Sequence, residues 1–324
     1  MKVLVCGGAG YIGAHMVRWL AGLGHEPVVF DNLSGGHRAA VGDAPLIVGD
    51  LLDRAAVDAA LAASGADVVM HFCAKALVGE SVTDPYLYYE NNVVGTLNLL
   101  QAMRHRGVAR LVFSSTCAIF GVPKSARIAE DHPKAPVNPY GASKLMCEQL
   151  LADAAHAYGL RSVALRYFNA AGASPAGGIG ESHDPETHLI PNTIRAVLGH
   201  APALSILGRD YPTSDGTCIR DYVHVDDLAL AHASAIEYID RHEGAHVFNL
   251  GSENGASVLD VIASVERVTG KAVPRRDAPR RPGDPPSLVA DSQRARELLG
   301  WVPRYRTLDS IVETAWRWHQ APVY

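Results

Sequence analysis

Lysine is scarce in this sequence: only six of the 29 basic residues are Lys, set against 34 acidic residues. The resulting formal charge of −5 excludes the strongly basic face of a dedicated nucleic-acid binder. No apolar run approaches the ~20 residues of a membrane-crossing helix, and the first residues lack the layout of a signal peptide. The five cysteines, at positions 6, 73, 117, 147 and 218, show no CxxC or zinc-type spacing. They read as small buried apolar residues, which suits a reducing compartment. Fifteen histidines include no HExxH pair, so spacing offers no metal site. Repeats and low-complexity tails are also missing. What remains is an ordinary globular composition, 48% hydrophobic and 19% charged. Its 324 residues suffice for two domains. The expectation is a cytoplasmic enzyme without metal, nucleic-acid or membrane partners.

The first half alternates strand and helix signals. Residues 2–6 are a short apolar run suited to a buried parallel strand. They lead into Gly7-Gly8-Ala9-Gly10-Tyr11-Ile12-Gly13, then into a helical pattern ending near Gly24. The next strand, 27–30, runs into Asp31. Such glycines permit a tight turn and close backbone approach, so that a pyrophosphate can sit on the helix N-terminus. Asp31 follows at about the ~20-residue spacing of the acid that holds a ribose 2′-hydroxyl. A carboxylate there repels a 2′-phosphate, which favours NAD over NADP. Further strands are expected at 46–48, leading to Asp50, and at 68–72, leading to Cys73-Ala74-Lys75. Two more are expected at 111–114 and 162–167, with a long helix over 85–104. Alternation of this kind implies an α/β fold, a doubly wound parallel sheet of Rossmann type. The sheet domain is placed at residues 1–169, with later segments able to return to it. A smaller mixed α/β substrate domain follows at 170–324, with helical patterns over 188–199 and 257–270.

Ligands in such sheets collect beyond the carboxyl ends of the strands. There stand Gly7, Asp31, Asp50, Phe72, Ser114 to Thr116 and Asn169. Tyr140 and Lys144 are four apart, on one helix face, behind Asn138 as cap and Pro139 in the first turn. A phenol of pKa ~10 is a poor base at neutral pH. A neighbouring cation favours the phenolate, and a shift of about 3 units needs roughly 4 kcal/mol. One ammonium falls short of that, and a second positive charge such as an oxidised nicotinamide ring would supply the rest.

The glycine loop, Asp31-Asn32-Leu33-Ser34, Ser115-Thr116 and Tyr140-x-x-x-Lys144 together resemble the extended short-chain dehydrogenase/reductase family. Within it they resemble the UDP-glucose 4-epimerase branch. The resemblance continues through His71-Phe72, Val78-Gly79-Glu80-Ser81 and the segments 88–92, 139–146 and 166–169. It then runs through Asp-Tyr-Pro-Thr at 210–213, 215–217, Arg-Asp-Tyr-Val-His at 220–224, and 278–284. It covers nearly the whole chain in order.

The resemblance implies reversible inversion at C4 of UDP-glucose and UDP-galactose through a transient 4-keto sugar, with tightly bound NAD regenerated each turnover. Tyr140 would take the 4-OH proton while C4 gives hydride to the nicotinamide. Lys144 would hold the nicotinamide ribose and Thr116 the reacting oxygen. The cofactor set carried over is Gly7, Gly10, Tyr11, Ile12, Gly13, Asp31, Asn32, Ser34, Asp50, Leu51, Phe72, Ala74, Lys75, Asn91, Ser114, Tyr140, Lys144 and Phe168. The substrate set is Thr116, Tyr140, Asn169, His188, Leu189, Ser205, Leu207, Arg220, Arg281, Asp284 and Leu288. Among these, Arg281 and Asp284 would clamp the pyrophosphate and the uridine ribose. The planar donor fork of arginine suits a diphosphate.

Three departures from the family pattern stand out. Thr116 replaces a frequent Ser, Lys75 is displaced by one position, and Leu288 stands where some members carry a pocket-narrowing Tyr. The last implies acceptance of N-acetylated UDP-hexosamines as well. A homodimer through the helices at 85–104 and 139–157 is also implied, with Leu97, Leu100 and Met103 fitting either that contact or an internal core. His224 and Asp226-Asp227 are assigned to the domain junction and not to chemistry. The alternatives are a UDP-pentose 4-epimerase, a nucleotide-sugar 4,6-dehydratase and a non-enzymatic NAD-binding sensor. Cys117-Ala118 lacks the carboxylate that a dehydratase needs beside its strand-end Thr.

Overall fold

The computed structural model describes residues 1–281 and 284–324. Seven strands form one parallel sheet in the order Ala245–Leu250, Arg161–Tyr167, Arg110–Thr116, Val68–His71, Lys2–Cys6, Glu26–Asp31, Leu46–Val48. The chain moves outward from Lys2–Cys6 to Leu46–Val48, then returns to build the other half from Val68–His71. That reversal leaves a crevice above Cys6 and His71, where a parallel α/β sheet receives ligands.

Both faces of the sheet are covered, which is why its strands are continuous apolar runs and not alternating ones. One face packs the helices Tyr11–Gly22 and Val225–Arg241, joining Val3, Val5, Met16, Leu20, Leu228 and Ile236 in one core. The other packs Arg54–Ser64, Gly95–Arg106 and Pro139–Tyr158, joining Leu4, Phe30, Leu61, Leu99 and Leu151. A separate core lies in the C-terminal part. There Leu189–Leu198, Val258–Thr269 and Leu308–Gln320 bring together Ile190, Ile194, Val261, Ile262, Ile311 and Val312. Three small sheets accompany it: Leu204–Leu207 with Arg275–Ala278, Asn169–Ala171 with Tyr222–His224, and Ile219–Arg220 between Ala256–Ser257 and Ser287–Leu288. Ser257 and Asp260 form a reciprocal capping box that starts the Val258 helix.

Two local features depart from the sequence reading. The helix expected over 85–104 is three pieces: a turn at Pro85–Tyr88, a π-helical stretch at Tyr89–Val94, and an α-helix at Gly95–Arg106. Within it Leu100 and Met103 are core residues, whereas Leu97 is 39% exposed. The strand Ala245–Leu250 has no counterpart in that reading, yet it forms an edge of the main sheet. His224, fully buried, stacks on Tyr305 with ring centres 3.6 Å apart and meets the Thr314 hydroxyl at 3.0 Å. Asp227 accepts the Arg304 and Tyr305 amides at 2.8 and 3.0 Å. These bonds tie 224–227 to the C-terminal segment, in keeping with a junction role. Among the described residues, all five cysteines are free and no helix is long and apolar enough to cross a membrane.

Candidate active site

The crevice begins at Gly7, which has φ +84° and lies so close to the neighbouring strand end that a Cβ would stand 2.7 Å from the Cys73 amide nitrogen. A Cβ on Gly13 would stand 2.1 Å from the Gly7 carbonyl, so the helix can press on the loop only as glycine. Gly10 caps the helix without a side-chain bond, which leaves first-turn amides, those of Tyr11 and Ile12 among them, free for an anion. Asp31 is buried and accepts the Ala9 amide at 2.9 Å and the Leu33 amide at 2.8 Å. A carboxylate has about four acceptor positions, so capacity remains for ribose hydroxyls. At the rim, Asn32 donates to Asp50 at 2.7 Å and its own oxygen accepts the Ser34 amide. Leu51 is buried beside Asp50, with its carbonyl held by Asn98. The partly buried Phe72, Ala74 and Lys75 follow the Val68–His71 strand.

The Pro139–Tyr158 helix brings in the reactive pair. The Asn138 side chain accepts the Gly141 amide at 2.8 Å and Pro139 takes the first turn, which fixes where the helix starts and so where Tyr140 stands. Lys144 is 2% exposed, and its Nζ donates to the Ser114 carbonyl at 2.8 Å. Its cation also lies 4.7 Å from the centre of the Phe113 ring. The Ser114 hydroxyl bonds the Tyr167 hydroxyl. Thr116, at the end of the same strand, accepts the Ala118 amide at 3.1 Å.

Electrostatics here correct one expectation. Burial pushes the Tyr140 phenol up to about 12, opposed by the Thr116 hydroxyl, so the protein's own groups do not make it acidic. Burial likewise holds Lys144 down to about 8. The ammonium serves the Ser114 carbonyl first, and desolvation outweighs the attraction anticipated from the four-residue spacing.

Across the crevice stands the second set. Asn169 donates its amide and side-chain N–H to the Asp221 carbonyl, at 3.0 and 2.9 Å. Arg220 pairs with Asp284 at 2.5 Å, with both side chains mostly buried, whereas Arg281 is exposed. Asp284, expected with Arg281 and Arg220 on the UDP, thus makes its ion pair with Arg220. Leu288 lies opposite Arg220 in the strand register and packs against the apolar cluster that includes Cys117, Phe120 and Phe168. Ser205 and Leu207 share the outer face of their strand, with Leu204 and Ile206 turned to the core. The imidazole of His188 is held by Glu181 and Glu186, and its helix begins at Leu189.

A glycine turn, an acid at the second strand and a Tyr–Lys helix thus face one crevice, and comparison with known proteins agrees. The family model described as NAD dependent epimerase/dehydratase family matches residues 3–251. The chain belongs to this family. It is 48% identical over 320 residues to a UDP-glucose 4-epimerase of Halalkalibacterium halodurans, covering 99% of this chain and 96% of that protein. A UDP-glucose 4-epimerase from Brucella ovis, solved in complex with NAD, superposes with a TM-score of 0.95 at 50% identity, over 97% of each chain. One from Bifidobacterium longum, in complex with NAD+ and UDP, gives a TM-score of 0.95 at 37% identity, over 99% of this chain and 98% of that one.

Two supports of this family site escaped the sequence reading. Asn92, buried in the π-helical stretch, accepts the Lys75 amide at 2.9 Å and donates to the Lys75 carbonyl at 3.1 Å and the Ser143 hydroxyl at 3.0 Å. The wider turn re-aims this one side chain, so that it clamps the 72–75 segment to the Tyr140 helix; Asn91 donates to it at 2.9 Å. Glu148, four residues beyond Lys144, accepts the Ser115 hydroxyl at 2.6 Å and a bidentate pair from Arg166 at 2.8 and 2.6 Å. The continued four-residue spacing from Tyr140 through Lys144 to Glu148 was the available signal.

Proposed function

We propose that the chain interconverts UDP-glucose and UDP-galactose by inverting C4 through a transient 4-keto sugar, with NAD resident in the crevice. The observation that carries the reading is the convergence of Tyr140, Lys144 and Thr116 with the glycine turn on one side and the Arg220–Asp284 pair on the other. The free first-turn amides, the spare acceptor capacity of Asp31 and a buried ammonium with N–H groups to spare fit a dinucleotide without a 2′-phosphate. When bound, NAD supplies reversible oxidation at C4 and a positive ring beside the phenol.

The chain's own residues do the rest. Gly7, Gly10, Tyr11, Ile12 and Gly13 hold the pyrophosphate, and Asp31, Asn32 and Ser34 the adenosine ribose. Asp50, Leu51, Phe72, Ala74, Lys75, Asn91 and Phe168 line the remainder of the cofactor cleft. Lys144 donates to the second ribose. Tyr140 takes the proton from the 4-OH and returns it on the opposite face, with Thr116 holding that oxygen. Arg220, Arg281, Asp284 and Asn169 hold the UDP diphosphate and ribose, and Leu189, Ser205 and Leu207 the nucleoside. Firm hold on UDP and a smooth sugar pocket let the keto sugar turn over. Incubating purified protein with UDP-galactose and no added cofactor, then reading the C4 configuration by NMR, tests this; an unchanged stereocentre refutes it.

Leu288, opposite Arg220 in the strand register and unable to hydrogen-bond through its side chain, leaves room near C2 of the sugar. The expected result is turnover of UDP-N-acetylglucosamine within about tenfold of UDP-glucose, since one side chain of pocket size is worth ~1–3 kcal/mol. Exclusion of the N-acetylated sugar in a competition assay would overturn it.

The same reading includes a homodimer through the segments 85–104 and 139–157 in the cytoplasm, where free cysteines are at home. It is supported by exposed apolar side chains on these elements, Val94 44%, Leu97 39% and Met146 46% exposed. Leu97→Glu with Met146→Glu is expected to halve the mass seen by sedimentation at equal fold content. An unchanged mass removes these helices from the contact.

A further inference from the structure

Between the sheet and the C-terminal core, four side chains within eight positions converge: Glu181, His183, Glu186 and His188. Their ligand atoms all lie within 4.8 Å of one another. Glu181 Oε1 is 2.9 Å from His188 Nδ1 and 3.4 Å from His183 Nδ1. Glu186 presents Oε1 at 2.8 Å to His188 Nδ1 and Oε2 at 3.6 Å to His183 Nδ1. In a tetrahedral site with metal–ligand bonds of ~2.0–2.1 Å, neighbouring ligand atoms stand about 3.3 Å apart. The four His–Glu separations bracket that value, and the other pairs lie within 4.8 Å.

We propose that these four residues bind one divalent transition cation of zinc type, through two imidazole Nδ1 atoms and two carboxylates. Three observations favour a shared cation over a set of ion pairs. Glu181 Oε1 and His183 Nδ1 are buried and make no hydrogen bond, although each has a polar neighbour within 3.6 Å. Atoms that are close yet misaligned for N–H···O bonds are what lone pairs aimed at a common centre produce. Second, the carboxylate side chains are only 4% and 2% exposed, and two buried negative charges need a compact positive one. Third, the imidazole rings lie 5.0 Å apart, where two imidazolium cations repel. A single dication neutralises both carboxylates and keeps both rings neutral, and an N₂O₂ donor set suits zinc better than calcium or magnesium.

The site is structural in placement. Trp318 of the last helix donates to the Glu181 carbonyl at 2.8 Å, the ring of Tyr11 from the glycine turn meets His183 edge-on at 6.2 Å, and His188 directly precedes the Leu189–Leu198 helix. A cation there fixes the 181–188 segment between the two halves of the molecule.

The test uses untagged protein, stripped with a chelator and dialysed, then titrated with Zn²⁺ or Co²⁺ alone. The expected result is one Zn²⁺ retained per chain by elemental analysis, and a Co²⁺ form with the intense visible absorption of a tetrahedral site. Glu181→Gln and the partly exposed His188→Ala should each weaken binding at least about 100-fold, since even loss of a supporting partner costs 10–100-fold. Should a variant fail to fold, stripped wild-type protein still decides: Zn²⁺ should raise its unfolding midpoint by about 3 °C or more. Sub-stoichiometric Zn²⁺ equal in wild type and variants, a Co²⁺ spectrum like that of the free ion, or an unmoved midpoint would each overturn the proposal.

Discussion

Replacing Tyr140 by phenylalanine is expected to lower turnover about 10³-fold, the worth of a positioned general base, with NAD content and fold unchanged. The ring that meets Tyr88 edge-on at 6.4 Å is kept, so only the hydroxyl is lost. With the phenol held at about 12 by burial, ionising it at pH 7 costs about 7 kcal/mol. No single neighbour provides that. That value already carries the lowering effect of the Thr116 hydrogen bond, so the cost falls to positive charge brought in beside the phenol, the ring of the bound cofactor. Lys144 is itself depressed to about 8 by burial, so it stays charged at neutral pH with little margin. The variant should therefore lose kcat with KM for UDP-galactose within a few-fold, because a group needed chiefly in the transition state leaves ground-state binding alone. Steady-state rates together with dinucleotide released on denaturation measure both. A kcat within tenfold of wild type would remove Tyr140 from the chemistry.

The parts of this molecule that were legible in the sequence are those written in local order. Lys2–Cys6, the glycines and Asp31 follow one another within 31 residues, and each has a local reason to be where it is. The Leu46–Val48 strand falls at its expected limits for the same reason. What stayed hidden depends on partners far along the chain. Ala245–Leu250 is short and mixed, and only pairing with Arg161–Tyr167 makes it a strand. Arg220 meets Asp284 across 64 positions, a pairing that no local pattern announces. Asn92 matters through a π-helical turn that no apolar period announces. The cluster at 181–188 was passed over because its spacing matches no HExxH helix. It sits on an irregular segment, where convergence is set by tertiary folding and not by helical period. Burial was also invisible: Tyr140 and Lys144 share a face as expected, yet desolvation reverses the direction in which the phenol moves.

Arg166→Leu is expected to be the most destabilising single change near the site, by about 3–5 kcal/mol. In a chain of this size that lowers the thermal midpoint by on the order of 10 °C. Arg166 is 1% exposed and Glu148 9% exposed. The guanidinium neutralises the carboxylate through two bonds and also reaches the Glu130 carbonyl at 3.1 Å. Removing it leaves a buried carboxylate whose one remaining hydrogen-bond donor is the Ser115 hydroxyl. The physics predicts a different outcome for the double variant Glu148→Leu with Arg166→Leu. Neither charge is then left uncompensated, and apolar replacements of similar volume recover most of the loss. Stability and activity should separate at this point. The Glu148 carboxylate ties the Tyr140 helix to the strand that carries Thr116, so the stable double variant should still turn over more slowly than wild type, by about tenfold or more, since misplacement of ~1 Å costs up to 10²-fold. Denaturant unfolding of the two single variants and the double closes the cycle. If the double loses the sum of the single losses, the pair does not act as a unit; if it recovers stability and full turnover, the pair does not position the helix.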